Sequence, residues 1–136
     1  MEGLTIGEVA KAVQVNVETL RYYERRRLIS APPRTESNYR QYPQETVKRV
    51  RFIKRAQELG FSLKEIKELL SLRASPHGES HDVREVAAAK IEAIEKNIES
   101  LKTMRSALRK LVATCSGHHP RSQCPILEAL DGVEPL

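Results

Sequence analysis

Apolar residues recur at helical spacing along most of this chain, and the punctuation between them marks a series of helices. Thr5-Ile6-Gly7-Glu8 has the Thr-x-x-Glu form of a capping box and opens a short helix with Ile6, Val9, Ala10 and Val13 on one face. Gln14-Val15-Asn16 reads as a turn, and Asn16 is a good N-cap for a second helix from Val17 to about Arg26. Leu20 and Val17 face inward on that helix. Arg21, Tyr22 and Tyr23 are expected on its exposed side, with Arg25 and Arg26 following. Two short helices around a tight turn predict a helix-turn-helix. The segment from Leu28 to Tyr42, with Pro32, Pro33 and Asn38 between its halves, predicts a two-stranded hairpin or wing, with Asn38 tolerating a left-handed backbone at the turn.

Pro43 starts a third helix that runs to Leu59, with Val47, Val50, Phe52, Ile53, Ala56 and Leu59 as its apolar positions and Gly60 as its stop. Ser62-Leu63-Lys64-Glu65 is a second capping box, opening a fourth helix that carries Leu63, Ile66, Leu69 and Leu70. Ser75-Pro76-His77-Gly78 breaks it. From Ser80 or His81 to about Thr114 there is neither Pro nor Gly, which predicts one helix of about 50 Å. Ala87, Ile91, Ile94, Ile98, Leu101, Leu108 and Val112 follow alternating steps of three and four, with Arg105 filling one place and Cys115 next in line. A narrow stripe sustained over such a length is a coiled-coil seam. The N-terminal part is too short to cover it, so the pattern predicts a homodimer. A short helix from Pro125 to Leu130 follows, and the tail from Asp131 to Leu136 reads as frayed. The expected organisation is a DNA-binding domain with connecting helices at 1–72, a dimerisation helix at 80–114, and a loop with a short C-terminal helix at 115–136.

Charge refines this picture. Residues 1–60 hold 12 Lys or Arg against 7 Asp or Glu, whereas residues 61–136 hold 11 of each. The whole net charge of +5 therefore lies in the N-terminal part. A cationic, structured half points to a polyanionic partner, most simply double-stranded DNA. No apolar run approaches the length of a membrane span, and the N-terminus lacks the layout of a signal peptide, so a cytoplasmic protein with no membrane partner is expected. No phosphate loop, nucleophile–base pair or paired carboxylate stands out, which argues against an enzyme.

The two cysteines of the chain, Cys115 and Cys124, bracket the run Ser116-Gly117-His118-His119-Pro120-Arg121-Ser122-Gln123. Thiolates are preferred ligands of soft metal ions. Cys124 precedes Pro125 at a helix start, where free N–H groups and the helix dipole favour thiolate over thiol. The pair is a candidate metal site. A reversible thiol redox switch and a structural zinc site remain open alternatives.

The series Thr5-Ile6-Gly7-Glu8-Val9-Ala10, Thr19-Leu20-Arg21-Tyr22-Tyr23-Glu24, Asn38-Tyr39-Arg40-Gln41-Tyr42 and Phe52 through Leu63 closely resembles the MerR family of bacterial regulators, over about the whole chain. The end Cys115…Cys124-Pro125-Ile126-Leu127 resembles its metal-sensing branch. The resemblance implies a mainly α protein: a winged helix-turn-helix, a long helix pairing in an antiparallel coiled coil, and a metal-binding loop with a short helix. It also implies a mechanism. The dimer sits on a promoter whose two recognition elements are spaced too far apart, and metal binding bends and untwists the DNA so that RNA polymerase can use both. Arg21, Tyr22 and Tyr23 on the second helix and Arg34, Tyr39 and Arg40 on the wing are the expected DNA contacts.

In the antiparallel dimer that the family implies, Ser80 of one subunit lies over the loop of its partner. The divalent sensors carry cysteine there, and the copper, silver and gold sensors carry serine. Two thiolates without a third anionic ligand suit a monovalent ion, so Cu(I), Ag(I) or Au(I) is the favoured inducer. Two features point the other way. The nine-residue cysteine spacing is that of the mercury and lead sensors, and His81, His118 or His119 could complete a divalent site. Hg(II), Zn(II), Cd(II) or Pb(II) is thus the rival expectation.

Overall fold

A computed structural model of the chain describes residues 3–37 and 39–132. Helices α1 (Ile6–Val13), α2 (Val17–Arg25), α3 (Gln44–Glu58), α4 (Leu63–Ala74), α5 (Ser80–Thr114) and α6 (Pro125–Asp131) follow in order, with a 3-10 turn at Arg121–Gln123. The chain divides into two compact units, Met1–Val86 and Ala87–Leu136.

Both capping boxes form. Thr5 Oγ1 accepts from the Glu8 N–H while Glu8 accepts from the Thr5 N–H, and Ser62 and Glu65 repeat the exchange. Asn16 caps α2 by accepting from the Thr19 N–H at 2.8 Å. Gln14 ends α1 in the left-handed region at φ 57°, and Gly60 follows α3 at φ 93°. The turn between α1 and α2 is therefore closed by backbone geometry as well as by sequence preference.

The core of the first unit is continuous. Val9 and Val13 of α1, Leu20 and Tyr23 of α2, Leu28 and Ile29 beyond it, Tyr42, Val50, Ile53 and Ala56 of α3, and Ile66 and Leu70 of α4 are buried together. Two α3 cations bind backbone carbonyls, one at the end of α1 and one in the segment after α2. Lys54 Nζ donates to the Val13 carbonyl at 3.1 Å, and Arg49 Nε donates to the Leu28 carbonyl at 2.6 Å. The first satisfies a carbonyl that the end of α1 leaves unpaired, and together they fix α1 and the segment after α2 against α3.

Several expectations are corrected. Tyr23 is buried rather than exposed, and its hydroxyl donates to Gln57 Oε1 at 2.6 Å. Leu59 lies outside the core at 67% exposure, because it is the C-cap of α3 rather than part of its apolar face. The wing is sparser than a hairpin. Among the described residues it consists of one antiparallel bridge, Arg34 to Arg40, with the Thr35 N–H donating to the Tyr39 carbonyl at 2.6 Å. A second bridge pairs Leu4 with Tyr42 through two hydrogen bonds of 2.8 and 2.7 Å, a pairing that alternation alone does not reveal. The expectation for Asn38, and that for residues 133–136 of the tail, lies outside the described residues.

Helix α5 is 35 residues long and has no buried residue. Ile91, Ile94, Ile98, Leu101, Leu108 and Val112, the expected seam, are all exposed, as is Met104. No described helix is long and apolar enough to cross a membrane.

Candidate nucleic-acid interface and thiol site

In the first unit, α2 and the wing bring the expected DNA-contacting cations together. Arg21, Arg34, Tyr39 and Arg40 line a single concavity with Thr5, Ile6 and Tyr42. Arg40 is held in place by a 2.6 Å bond from its guanidinium to the Pro32 carbonyl. Tyr39 stands 66% exposed at the rim. Tyr22 is outside this concavity but exposed on α2, with the Arg25 guanidinium 5.8 Å from its ring centre. Of the six expected contacts, only Tyr23 is turned away, into the core.

Glu24, an acid on the same helix, would repel phosphate if it faced the concavity. Tyr42 restrains it: the buried Tyr42 hydroxyl donates to Glu24 Oε2 at 3.1 Å. Burial pushes the Tyr42 hydroxyl above its ordinary pKa, and the Glu24 charge adds to the rise while Arg40 and Arg21 oppose it. Tyr42 is thus a supporting residue that the residue-by-residue reading missed. The Leu4 bridge that buries it, and so gives it this role, joins segments far apart in sequence.

In the second unit, the chain turns back after α5 through Gly117 at φ 85°, a left-handed conformation that glycine adopts without strain. The turn brings the Cys115 side chain near enough to act on the Cys124 thiol. Cys115 follows the last residue of α5, and Cys124 is the N-cap of α6, with Pro125 at its first turn. Both cysteines are free and half-buried. The Leu127 N–H pulls the Cys124 thiol below its usual pKa, and the Ile126 N–H and the Cys115 side chain act in the same direction. Desolvation and the Glu128 charge oppose them without cancelling the drop. The physical cause is the set of unpaired donors at a helix start.

The histidines do not join this pair. His118 and His119 are exposed, the His118 N–H donating to Ser116 Oγ at 3.4 Å. Among the described residues, no three His, Cys, Asp or Glu side chains lie close enough to hold a metal ion. His81 pairs with Glu85 at 3.9 Å along the exposed first turns of α5, and Ser80 beside it is exposed.

A helix-turn-helix with a cationic concavity, carried on a chain with a long unburied helix, is an arrangement suited to a DNA-binding regulator. The "MerR HTH family regulatory protein" model matches residues 4–72, and the "MerR, DNA binding" model matches residues 47–111. The chain is also 46% identical over 125 residues to a mercuric resistance operon regulatory protein of Bacillus cereus, covering 92% of this chain and 95% of that one. It belongs to the MerR family of transcription regulators. Two solved structures share the fold. One is a regulator from Ralstonia metallidurans in complex with lead(II), with a TM-score of 0.81 and 31% identity over 93% of this chain and 98% of that one. The other is a MerR from Bacillus megaterium in complex with mercury(II), with a TM-score of 0.69 and 39% identity over 95% of this chain and all of that one.

Proposed function

We propose that this protein is a homodimeric, metal-responsive regulator in which Cys115 and Cys124 capture a soft metal ion and the N-terminal unit holds promoter DNA. The observation that carries the reading is the convergence of the two thiols at the start of α6, where Leu127 and Ile126 N–H groups stabilise a thiolate. Metal capture at the end of α5 changes how the dimer deforms the promoter, and RNA polymerase then engages it. The protein works in the cytoplasm, where thiols stay reduced and ready for metal.

Within that reading, Hg(II) is the first candidate inducer. Support comes from the mercuric resistance relative, from the mercury- and lead-bound structures, and from the nine-residue spacing of the cysteines. Hg(II) is soft and satisfied by two thiolates in line, which leaves the site neutral. One observation favours a second reading. Ser80 offers no third thiolate, and a two-sulfur site also suits Cu(I), Ag(I) or Au(I). Anaerobic titration of the reduced dimer with Hg(II), Cu(I), Pb(II) and Zn(II) against competing thiols tests both. Absence of tight binding by any of the four would overturn the metal reading and leave the thiol switch.

Two variants sharpen this. Ser80→Cys is expected to add a thiolate from the partner subunit, raising the response to Pb(II), Zn(II) or Cd(II), which need three or four ligands. An unchanged metal ranking in a promoter assay would show that position 80 does not reach the site. Separately, Arg21→Ala and Arg40→Ala should each weaken duplex binding and lower the dependence of log K on log salt by about 0.9 for every phosphate no longer neutralised. Wild-type affinity and salt slope in both would remove the α2–wing concavity from the DNA interface.

A further inference from the structure

The N–H donors at the start of α6 favour a Cys124 thiolate, but they act alike on every metal ion that two thiols can hold. A monovalent ion is told from a divalent one by the fixed charge around the sulfurs. Glu128 is placed to supply that charge. Its N–H donates to the Cys124 carbonyl at 3.0 Å and closes the first turn of α6. Side chains four residues apart on such a turn have Cβ atoms about 5–6 Å from each other. Glu128 is exposed, and among the described residues it forms no ion pair. Its charge acts on the Cys124 thiol, against the donors that lower it.

No cation offsets this carboxylate within the unit. Helix α6 carries two acids, Glu128 and Asp131, and no base. Arg121 is the only Lys or Arg between Cys115 and Asp131, and it is exposed and absent from the charges that act on Cys124. The thiol pair thus sits beside one uncompensated negative charge. Two thiolates and Glu128 together carry three negative charges. A monovalent ion leaves two of them close together, whereas a divalent ion leaves one. The sign does not depend on how far the thiols are ionised beforehand, because the two complexes differ by one unit of charge in either case.

We propose that Glu128 is a specificity-determining residue of the thiol site, which favours a divalent over a monovalent ion through the charge it holds one helical turn from Cys124. It acts through space and not as a ligand, since among the described residues no three His, Cys, Asp or Glu side chains lie close enough to hold a metal ion. An acid in the first turn also suits the helix dipole. That role alone would affect every metal equally. One unit of charge at about 6 Å in a well-solvated site changes an equilibrium about threefold, and partial desolvation enlarges the effect. The proposal rests on the metal-capture reading. It separates Hg(II) from Ag(I) and Cu(I) on a ground independent of Ser80.

The test uses the reduced full-length protein and anaerobic competition titrations with Hg(II) and Ag(I) against small thiols at low salt. The quantity compared is the ratio of the two affinities. Glu128→Gln should shift it towards Ag(I) about threefold, and Glu128→Lys, two charge units from wild type, about tenfold. Glu128→Asp should keep it. Both shifts should shrink as ionic strength rises from about 0.01 to 1 M, because exposed charges are screened over a shorter distance. An unchanged ratio in both the Gln and the Lys variant would overturn the proposal, and equal weakening of both metals would assign Glu128 to the helix start alone. A loss of Hg(II) binding of more than ~100-fold, the same in Gln and Lys, would make Glu128 a ligand and overturn it as well. Failure of the broader reading looks different: the wild type itself would bind neither metal tightly.

Discussion

Cys115→Ser and Cys124→Ser, each alone, are expected to abolish metal-induced transcription while leaving DNA binding in place. The two thiols form a unit. The Cys115 side chain acts on the Cys124 thiol, and among the described residues there is no third His, Cys, Asp or Glu to take over when one is removed. Removing either leaves a one-sulfur site. Because loss of an outer-shell partner alone typically weakens metal binding 10–100-fold, loss of a ligand should cost more than ~100-fold. The fold should persist. Both residues are half-buried at a turn and belong to the second unit, while the DNA-binding unit has its own core. The measurement is metal-dependent transcription from the cognate promoter, paired with duplex binding by the apo-protein. Full induction in both variants would rule out the pair as the sensor. Response to a peroxide oxidant but to none of the metals, abolished in both variants, would instead identify a disulfide switch.

Much of this architecture was legible from local chemistry. The capping boxes at Thr5 and Ser62, the Asn16 cap and the Gly60 stop are fixed by residues within a few positions of one another, and all four form as expected. The long helix followed from a Pro- and Gly-free stretch with one apolar stripe. Errors arose where distant segments decide the outcome. Tyr23 carries a hydroxyl and sits among arginines, so it reads as a surface residue, yet Gln57 of α3, 34 positions away, supplies the partner that lets it be buried. The role of Tyr42 depends on the bridge to Leu4 and on Glu24, neither of which its neighbours reveal. The thiol pair was legible as composition, but the donors that stabilise Cys124 depend on α6 starting at Pro125.

Replacing Ile98 and Leu101 together with Glu is expected to produce a folded monomer with a severe loss of operator affinity. Ile98 is 45% and Leu101 62% exposed, and the same stripe runs from Ile91 to Val112 on a helix with no buried residue. Apolar surface of this extent calls for a partner, since each large side chain covered contributes about 1.5–3 kcal/mol. A second copy of α5 offers a matching stripe. Two glutamates in the middle of each seam would bring four like charges together in a desolvated interface, which the remaining apolar packing cannot offset. The DNA-binding unit would be spared, because its core lies among α1–α4. Each released subunit would then bind half an operator on its own. Without the second, tethered half-site, binding typically weakens by ~10²–10⁴-fold, against the modest effect expected for a single phosphate. Sedimentation velocity and operator binding, with far-ultraviolet circular dichroism as the fold check, make the comparison. A wild-type protein that sediments as a stable monomer at micromolar concentration would overturn the dimer reading. So would a double variant that remains dimeric.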